Sequence, residues 1–226
     1  MSQSVVTPLG LEWDRQRAIV DLTTGRVLTA RREPALLSLS AVVDESTVRI
    51  TTPEGRPLRS DDDLSAWFGR AVSLAHPSME HEPEYECPVD FEDESVAWDV
   101  WRGPAGVWHD STRTRVSILS RDSLRDWPVR RFRPNVVVDE RGEDELVGRR
   151  VRLGTVVLDV VKRIDRCVMV ARPQPGGIEK DLSVLKTVMR DSEGFLGVGA
   201  VVVEPGEFGV SDEVEDLGRV ANWTAR

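Results

Sequence analysis

Arg130-Arg131-Phe132-Arg133-Pro134-Asn135-Val136-Val137-Val138 is the stretch on which the reading of the fold turns. A row of guanidinium groups leads into an apolar run. Guanidinium holds oxyanions through paired hydrogen bonds. Arg131, Arg133 and Asn135 alternate, so an extended strand through them would turn all three to one side. Pro134 gives no ladder hydrogen bond, which suits a strand start or an edge. After a polar break come further apolar runs, ending at Arg166-Cys167-Val168-Met169-Val170. Thiolate is the nucleophilic and metal-binding form of cysteine, and a neighbouring positive charge favours it. An anion clamp plus a reactive sulfur is the sharp reading. The bland one is a solvated basic edge before a core strand, with Cys167 as a small core residue.

Working outward, Arg150–Leu153, Gly154 and Thr155–Val161 read as a hairpin. Val168–Ala171 and Gly199–Glu204 read as further strands. Glycine-bounded strands in succession predict a barrel or a strongly curved sheet. Upstream, Thr114–Leu119 alternates as a strand. Ser120 to Trp127 then reads as a helical turn or two, stopped by Pro128. A strand leading into a helix start with the hydroxyls of Ser120 and Ser123 suits an anion. Asp181–Arg190 is the clearest helix, with Asp181 as its cap and Gly194 beyond its end.

The first half reads as short β elements. Arg17–Asp21 and Arg26–Ala30 form a hairpin around Gly25. Leu36–Val43 and Val48–Thr51 are further strands. Ser60 caps a short helix that Gly69 ends, with Asp61, Asp62 and Asp63 at the positive end of its dipole. His76 to Glu94 is polar, acidic and interrupted by prolines, and reads as a long loop with a subdomain boundary near its end. His76, His81 and Cys87 within it match no zinc spacing. Val96–Trp101 is a β-prone aromatic run. His109-Asp110 could pair a base with its orienter, but sequence neighbours seldom point the right way.

The chain has 226 residues and a formal net charge of -9. That balance argues against a nucleic-acid or anionic-membrane surface. Base gathers between Arg113 and Arg133 and between Arg149 and Arg166, inside an acidic protein. A local anion site fits this better than a broad polyanion surface. Two cysteines make no disulfide framework, and no run reaches the length of a membrane span. The N-terminus lacks the pattern of a signal peptide. The expected compartment is the cytoplasm.

Arg131-Phe132-Arg133-Pro134-Asn135 before an apolar strand, then Glu143-Asp144 with Gly148, then Arg166-Cys167, resembles the core of the MOSC domain. That module is shared by molybdenum cofactor sulfurases and the mitochondrial amidoxime-reducing component. Gly10-Leu11-Glu12-Trp13-Asp14-Arg15, with Val20-Asp21, Gly25, Arg31 and Pro34, resembles the β-barrel-like module that precedes it. The resemblance covers most of the chain. It implies a mainly β fold with a few short helices: a small N-terminal β-rich module over residues 1–95, then a MOSC-type β barrel, similar to the pyruvate kinase barrel, over 96–226.

The resemblance also implies chemistry. Cys167 would bind the metal of a molybdenum cofactor (molybdopterin). Arg133 and Asn135 would hold the pterin or its phosphate, supported by Arg131, Arg166, Ser120 and Ser123. Arg121 stands where the family has threonine. The implied reaction is reduction of N-hydroxylated or related N- or S-oxygenated small molecules. No ferredoxin cysteine set, haem motif or dinucleotide glycine loop is present, so a separate electron-donor reductase is implied. The sulfurase side of the resemblance adds sulfur-carrier chemistry, with a persulfide on Cys167, and pyridoxal phosphate binding. A non-catalytic barrel binding an anion or a partner is the third reading. The family opens on a strand whose lysine and serine grip the cofactor phosphate. Here Val5, Val6, Thr7 and Pro8 occupy that stretch without a lysine, which implies a truncated start or a missing grip.

Overall fold

The computed structural model describes residues 3–44, 47–89, 97–139 and 142–221. The chain is mainly β. It divides into two compact units that interleave along the sequence. One holds residues 1–14, 113–173 and 178–226; the other holds 15–112 and 174–177. The boundary expected near residue 95 falls in 90–96, outside the described residues, as does part of the acidic loop and the start of the Val96 run.

The first unit is built on a curled six-stranded sheet. Its strands run, in spatial order, Val136–Val138, Val116–Ser120, Phe195–Glu204, Val156–Asp165, Arg149–Leu153 and Val214–Arg219. The two ten-residue strands pair antiparallel with three register shifts. Such bulges bend and twist a ladder, which curls this sheet around its apolar face. Val116, Ile118, Val136, Val138, Leu158, Val160, Val198 and Ala200 fill the inside of the curl.

Val116–Ser120 and Val136–Val138 are parallel neighbours. Parallel strands are covered on both faces and read as continuous apolar runs. Ile118 accordingly faces the curl, while Leu119 joins a second cluster with Leu124, Phe132, Val170, Val184, Val188 and Leu196. That cluster seats the helix Leu182–Ser192. Asp181 accepts from Ser183 N–H at its start. Val184 and Val188, four residues apart, are the face it buries. Each contributes on the order of 1.5–3 kcal/mol of apolar burial.

The hairpin at Gly154 and the Asp181 helix match the sequence reading. Two elements differ from it. Arg131, Arg133 and Asn135 do not share a strand: Val129–Arg131 is a 3-10 turn, Arg133 has φ +46°, and extended structure starts at Val136. Likewise Val168–Ala171 is a 3-10 turn with Cys167 at its N-cap, not a strand. In both places the apolar residues face the second cluster from a tight turn.

In the second unit, Ala18–Asp21 pairs with Val72–Ala75, and Ser40–Asp44, Thr47–Thr51 and Pro57–Leu58 form a meander. Residues 36–38, read as strand, belong to the 3-10 turn Pro34–Ser38, because Pro34 fixes φ at its start. The expected hairpin around Gly25 is short: Val27 bridges Val20, Asp21 N–H donates to Arg26 O at 2.9 Å, and Leu28 N–H donates to Ile19 O at 2.8 Å. The helix Asp61–Phe68 is capped as expected: Ser60 Oγ accepts from Asp63 N–H at 3.1 Å, and Gly69 ends it in the left-handed region. The acidic segment read as loop contains the strand Glu84–Pro88, which pairs with Trp98–Arg102. His109 is buried, with Gly103 packed against its backbone.

Candidate functional site

Two arginines bring the Arg131 and Cys167 segments together. Arg131 is 8% exposed. Its guanidinium donates to Glu179 O at 2.7 Å, Val170 O at 3.2 Å and Arg172 O at 3.5 Å. It thus clasps the carbonyls of the turn that follows Cys167. Arg166 works in the opposite direction. Its Nε donates to Leu196 O at 2.8 Å and its Nη1 to Phe132 O at 3.1 Å, with the guanidinium stacked over the Phe132 ring. Arg166 N–H also donates to Gly194 O. The chain therefore leaves the long strand Val156–Asp165 in a fixed direction, and Cys167 comes next.

Cys167 is half-buried and is a free thiol. Burial lowers the Arg166 guanidinium to about 10, against the opposing charges of Cys167, Asp165 and Glu143. At neutral pH it remains a cation. Its Nη2 is buried without a hydrogen-bond acceptor among the described residues. Gly197, at φ +79°, leaves room for it: a Cβ there would lie 2.9 Å from Ile118 O and 3.2 Å from Nη2.

Ser120 and Ser123 are joined. Ser120 Oγ caps the short helix Arg121–Leu124 by accepting from Ser123 N–H at 3.0 Å, and donates to Ser123 Oγ at 2.9 Å. Ser123 Oγ donates to Glu143 Oε2 at 2.8 Å. Glu143 is 4% exposed. Ser120, Ser123 and Glu143 thus form one hydrogen-bonded chain. Sequence reading placed Glu143 only in a motif and gave it no role. The signal was its position just after a break, followed by an apolar run.

The remaining candidates sit differently. Asn135 is committed to structure: Oδ1 accepts from Ser117 N–H and Oγ–H, both at 2.9 Å, and Nδ2 donates to Asp14 at 2.9 Å. It ties Asp14 to the parallel strands. Arg133 is exposed at positive φ, directly after the Phe132 carbonyl that Arg166 holds. Arg121 is exposed and pairs with Asp139 at 2.6 Å. A cleft of about 230 Å³ lies beside Ser123, lined also by Asp122, Arg125, Trp127, Gly142 and Leu196. A larger depression of about 340 Å³ lies between Gly154 and Asp212, and neither cysteine lines it. No three metal-ligating side chains cluster among the described residues. A metal here would rest on one protein sulfur.

A curled six-stranded sheet with short helices packed on it defines a mainly β protein of the barrel-like class. Two family models give this class its name. The MOSC N-terminal beta barrel domain matches residues 1–77, and the MOSC domain matches residues 108–215. The chain belongs to the MOSC family. MOSC domains are associated with molybdenum-cofactor sulfurase-like proteins and with the molybdenum cofactor. No curated protein matches the chain. A solved structure titled "Crystal structure of an hypothetical protein" is 18% identical with TM-score 0.40, over 52% of this chain and 57% of that one. The match thus spans little more than half of that protein. No helix among the described residues is long and apolar enough to cross a membrane.

Proposed function

We propose that this MOSC protein binds a molybdenum cofactor through Cys167 and reduces N-hydroxylated or related N- or S-oxygenated small molecules. The observation that carries the reading is a half-buried free thiol next in sequence to an arginine whose buried Nη2 has no acceptor among the described residues. A buried donor without a partner costs about 1–3 kcal/mol, and an anionic ligand would remove that cost. The residues present fit the group on chemical grounds. Soft thiolate suits molybdenum, and guanidinium suits oxo and phosphate oxygens.

Cys167 would hold the metal, and Arg166, with exposed Arg133, would hold the anionic groups around it. Ser120 and Ser123 would support them, and Asn135 and Arg131 would act by fixing the backbone. When bound, such a cofactor supplies two-electron oxygen-atom chemistry, while the protein contributes position and electrostatics. Electrons would come from a separate reductase, in the cytoplasm. No lysine stands among these residues, so the aldehyde chemistry of pyridoxal phosphate is left out of the proposal.

The test is reduction of N-hydroxybenzamidine by purified protein with dithionite-reduced viologen as artificial donor. Activity that disappears in Cys167→Ala supports the reading. Equal activity in the variant overturns it. Cyanide-labile sulfur on Cys167 without reductase activity would point to the sulfur-carrier reading instead.

A further inference from the structure

Ser40-Ala41-Val42-Val43-Asp44 is a strand with one partner and a bare second edge. It pairs antiparallel with Thr47–Thr51, which pairs on its far side with Pro57–Leu58, so Ser40–Asp44 is the outer strand of the meander. All five of its residues are exposed. Val42 is 57% exposed and Val43 38%. An outer strand is an open row of donors and acceptors, and proteins blunt such rows with lysine, proline or a bulge. This strand has none of these. Its register with Thr47–Thr51 is unbroken, and its only charge, Asp44, is paired with Arg49 at 2.5 Å.

The meander fixes which backbone groups face outward. Thr52 N–H donates to Arg56 O at 2.9 Å, and the register runs on with Thr51 opposite Pro57 and Ile50 opposite Leu58. Hydrogen-bonded and non-hydrogen-bonded pairs alternate along an antiparallel ladder. Thr52 and Ile50 therefore bond toward Pro57–Leu58, while Thr51, Arg49 and Thr47 bond toward Ser40–Asp44. Their partners Ser40, Val42 and Asp44 turn inward. Ala41 and Val43 turn outward, each with an N–H and a C=O that no described strand takes up.

We propose that this edge pairs with the same edge of a second copy of the chain, antiparallel about a two-fold axis at Val42. Ala41 of each copy then exchanges both backbone hydrogen bonds with Val43 of the other. Val42 meets Val42 of the second copy as a non-hydrogen-bonded pair, with Cα atoms about 4.5 Å apart, and the two exposed side chains cover one another. Ser40 falls opposite Asp44 of the second copy, a hydroxyl beside a carboxylate. The two Asp44 carboxylates stand about 14 Å apart along the strands, beyond the screening length of physiological salt. Each side chain on the edge thus meets one that suits it, which singles out a second copy among possible occupants. The edge is only five residues long. It falls below the area of a stable interface, so the dimer is a weak one, with a micromolar-to-millimolar dissociation constant.

The test is sedimentation velocity of the full chain from micromolar to millimolar concentration. The parent should pass from monomer to dimer. Val42→Lys sets like charges directly opposite at the axis and removes the valine contact; it should weaken the dimer about fivefold or more. Ser40→Lys sets a cation opposite each Asp44 and should tighten the dimer about twofold or more. A parent still monomeric at millimolar concentration overturns the proposal and leaves a strand of another protein as the occupant. A dimer that Val42→Lys leaves intact, or that Ser40→Lys fails to tighten, overturns it too. Both positions are exposed, and circular dichroism checks that the variants fold. Amide exchange of the parent, read by NMR, needs no variant. The outward Ala41 and Val43 N–H groups should exchange more slowly as concentration rises, while the inward Val42 N–H should not change. Equal behaviour of the three overturns the pairing.

Discussion

Replacing Arg131 with alanine should destabilise the unit that contains it without touching any ligand. Arg131 donates to three carbonyls, at 2.7, 3.2 and 3.5 Å. The longest contributes little. Val170 is buried, so its carbonyl would lose its charged donor with no water to replace it. Glu179 is exposed, and water can satisfy its carbonyl in part. Hydrogen bonds to charged groups contribute about 1.5–3 kcal/mol each. One full loss and one partial loss sum to about 3 kcal/mol. For a chain of this length that corresponds to a melting shift of roughly 6–12 °C. Arg131→Lys keeps the charge but has no planar fork, and should recover about half of the loss. Thermal unfolding of ligand-free protein, followed by circular dichroism, reads both. A melting temperature within about 2 °C of the parent in Arg131→Ala would refute the structural role, because a purely ligand-holding arginine would not affect ligand-free protein.

Gly197→Ala should destabilise by about 2–4 kcal/mol in urea unfolding, since φ is +79° and the added Cβ would meet the Ile118 carbonyl at 2.9 Å. Asp21 is 5% exposed; burial pushes its carboxyl up, but hydrogen bonds from Thr23 and Thr24 N–H and the Arg70 charge outweigh that and hold it below the usual range. A carboxyl depressed in the folded state adds stability above its unfolded pKa and loses it as pH falls through the folded one. Asp21→Asn should therefore cost about 1–2 kcal/mol at neutral pH, with the difference from parent shrinking as acid takes the pH down through the depressed folded pKa, below the usual carboxylate range. A difference that stays constant across that range would count against the assignment.

The parts of this fold that a sequence reveals are those specified locally. Ser60 and Gly69 bracket a helix because each satisfies a helix end by its own chemistry. The Gly154 hairpin is set by a turn between two apolar runs. The strand Glu84–Pro88 could not be read that way: its partner, Trp98–Arg102, lies across a long acidic segment, and its own composition is polar. The site divides along the same line. Arg166 and Cys167 are adjacent in sequence and stay adjacent in space. The alternation of Arg131, Arg133 and Asn135 suggested one shared face, but Phe132 is drawn into the second core cluster. That forces a turn at Arg131 and a positive φ at Arg133, and separates three side chains that a strand would have aligned. The place of Glu143 beside Ser123 was not legible, because the hydrogen bond that joins them spans 20 positions of sequence.

The most direct test of the central claim is the molybdenum content of the purified protein and of Cys167→Ala, both made in a cofactor-proficient host. The parent protein should carry about one molybdenum per chain, held by one soft sulfur, and the variant almost none, with circular dichroism unchanged. A parent free of molybdenum, or a variant that keeps the parent's content, would contradict it.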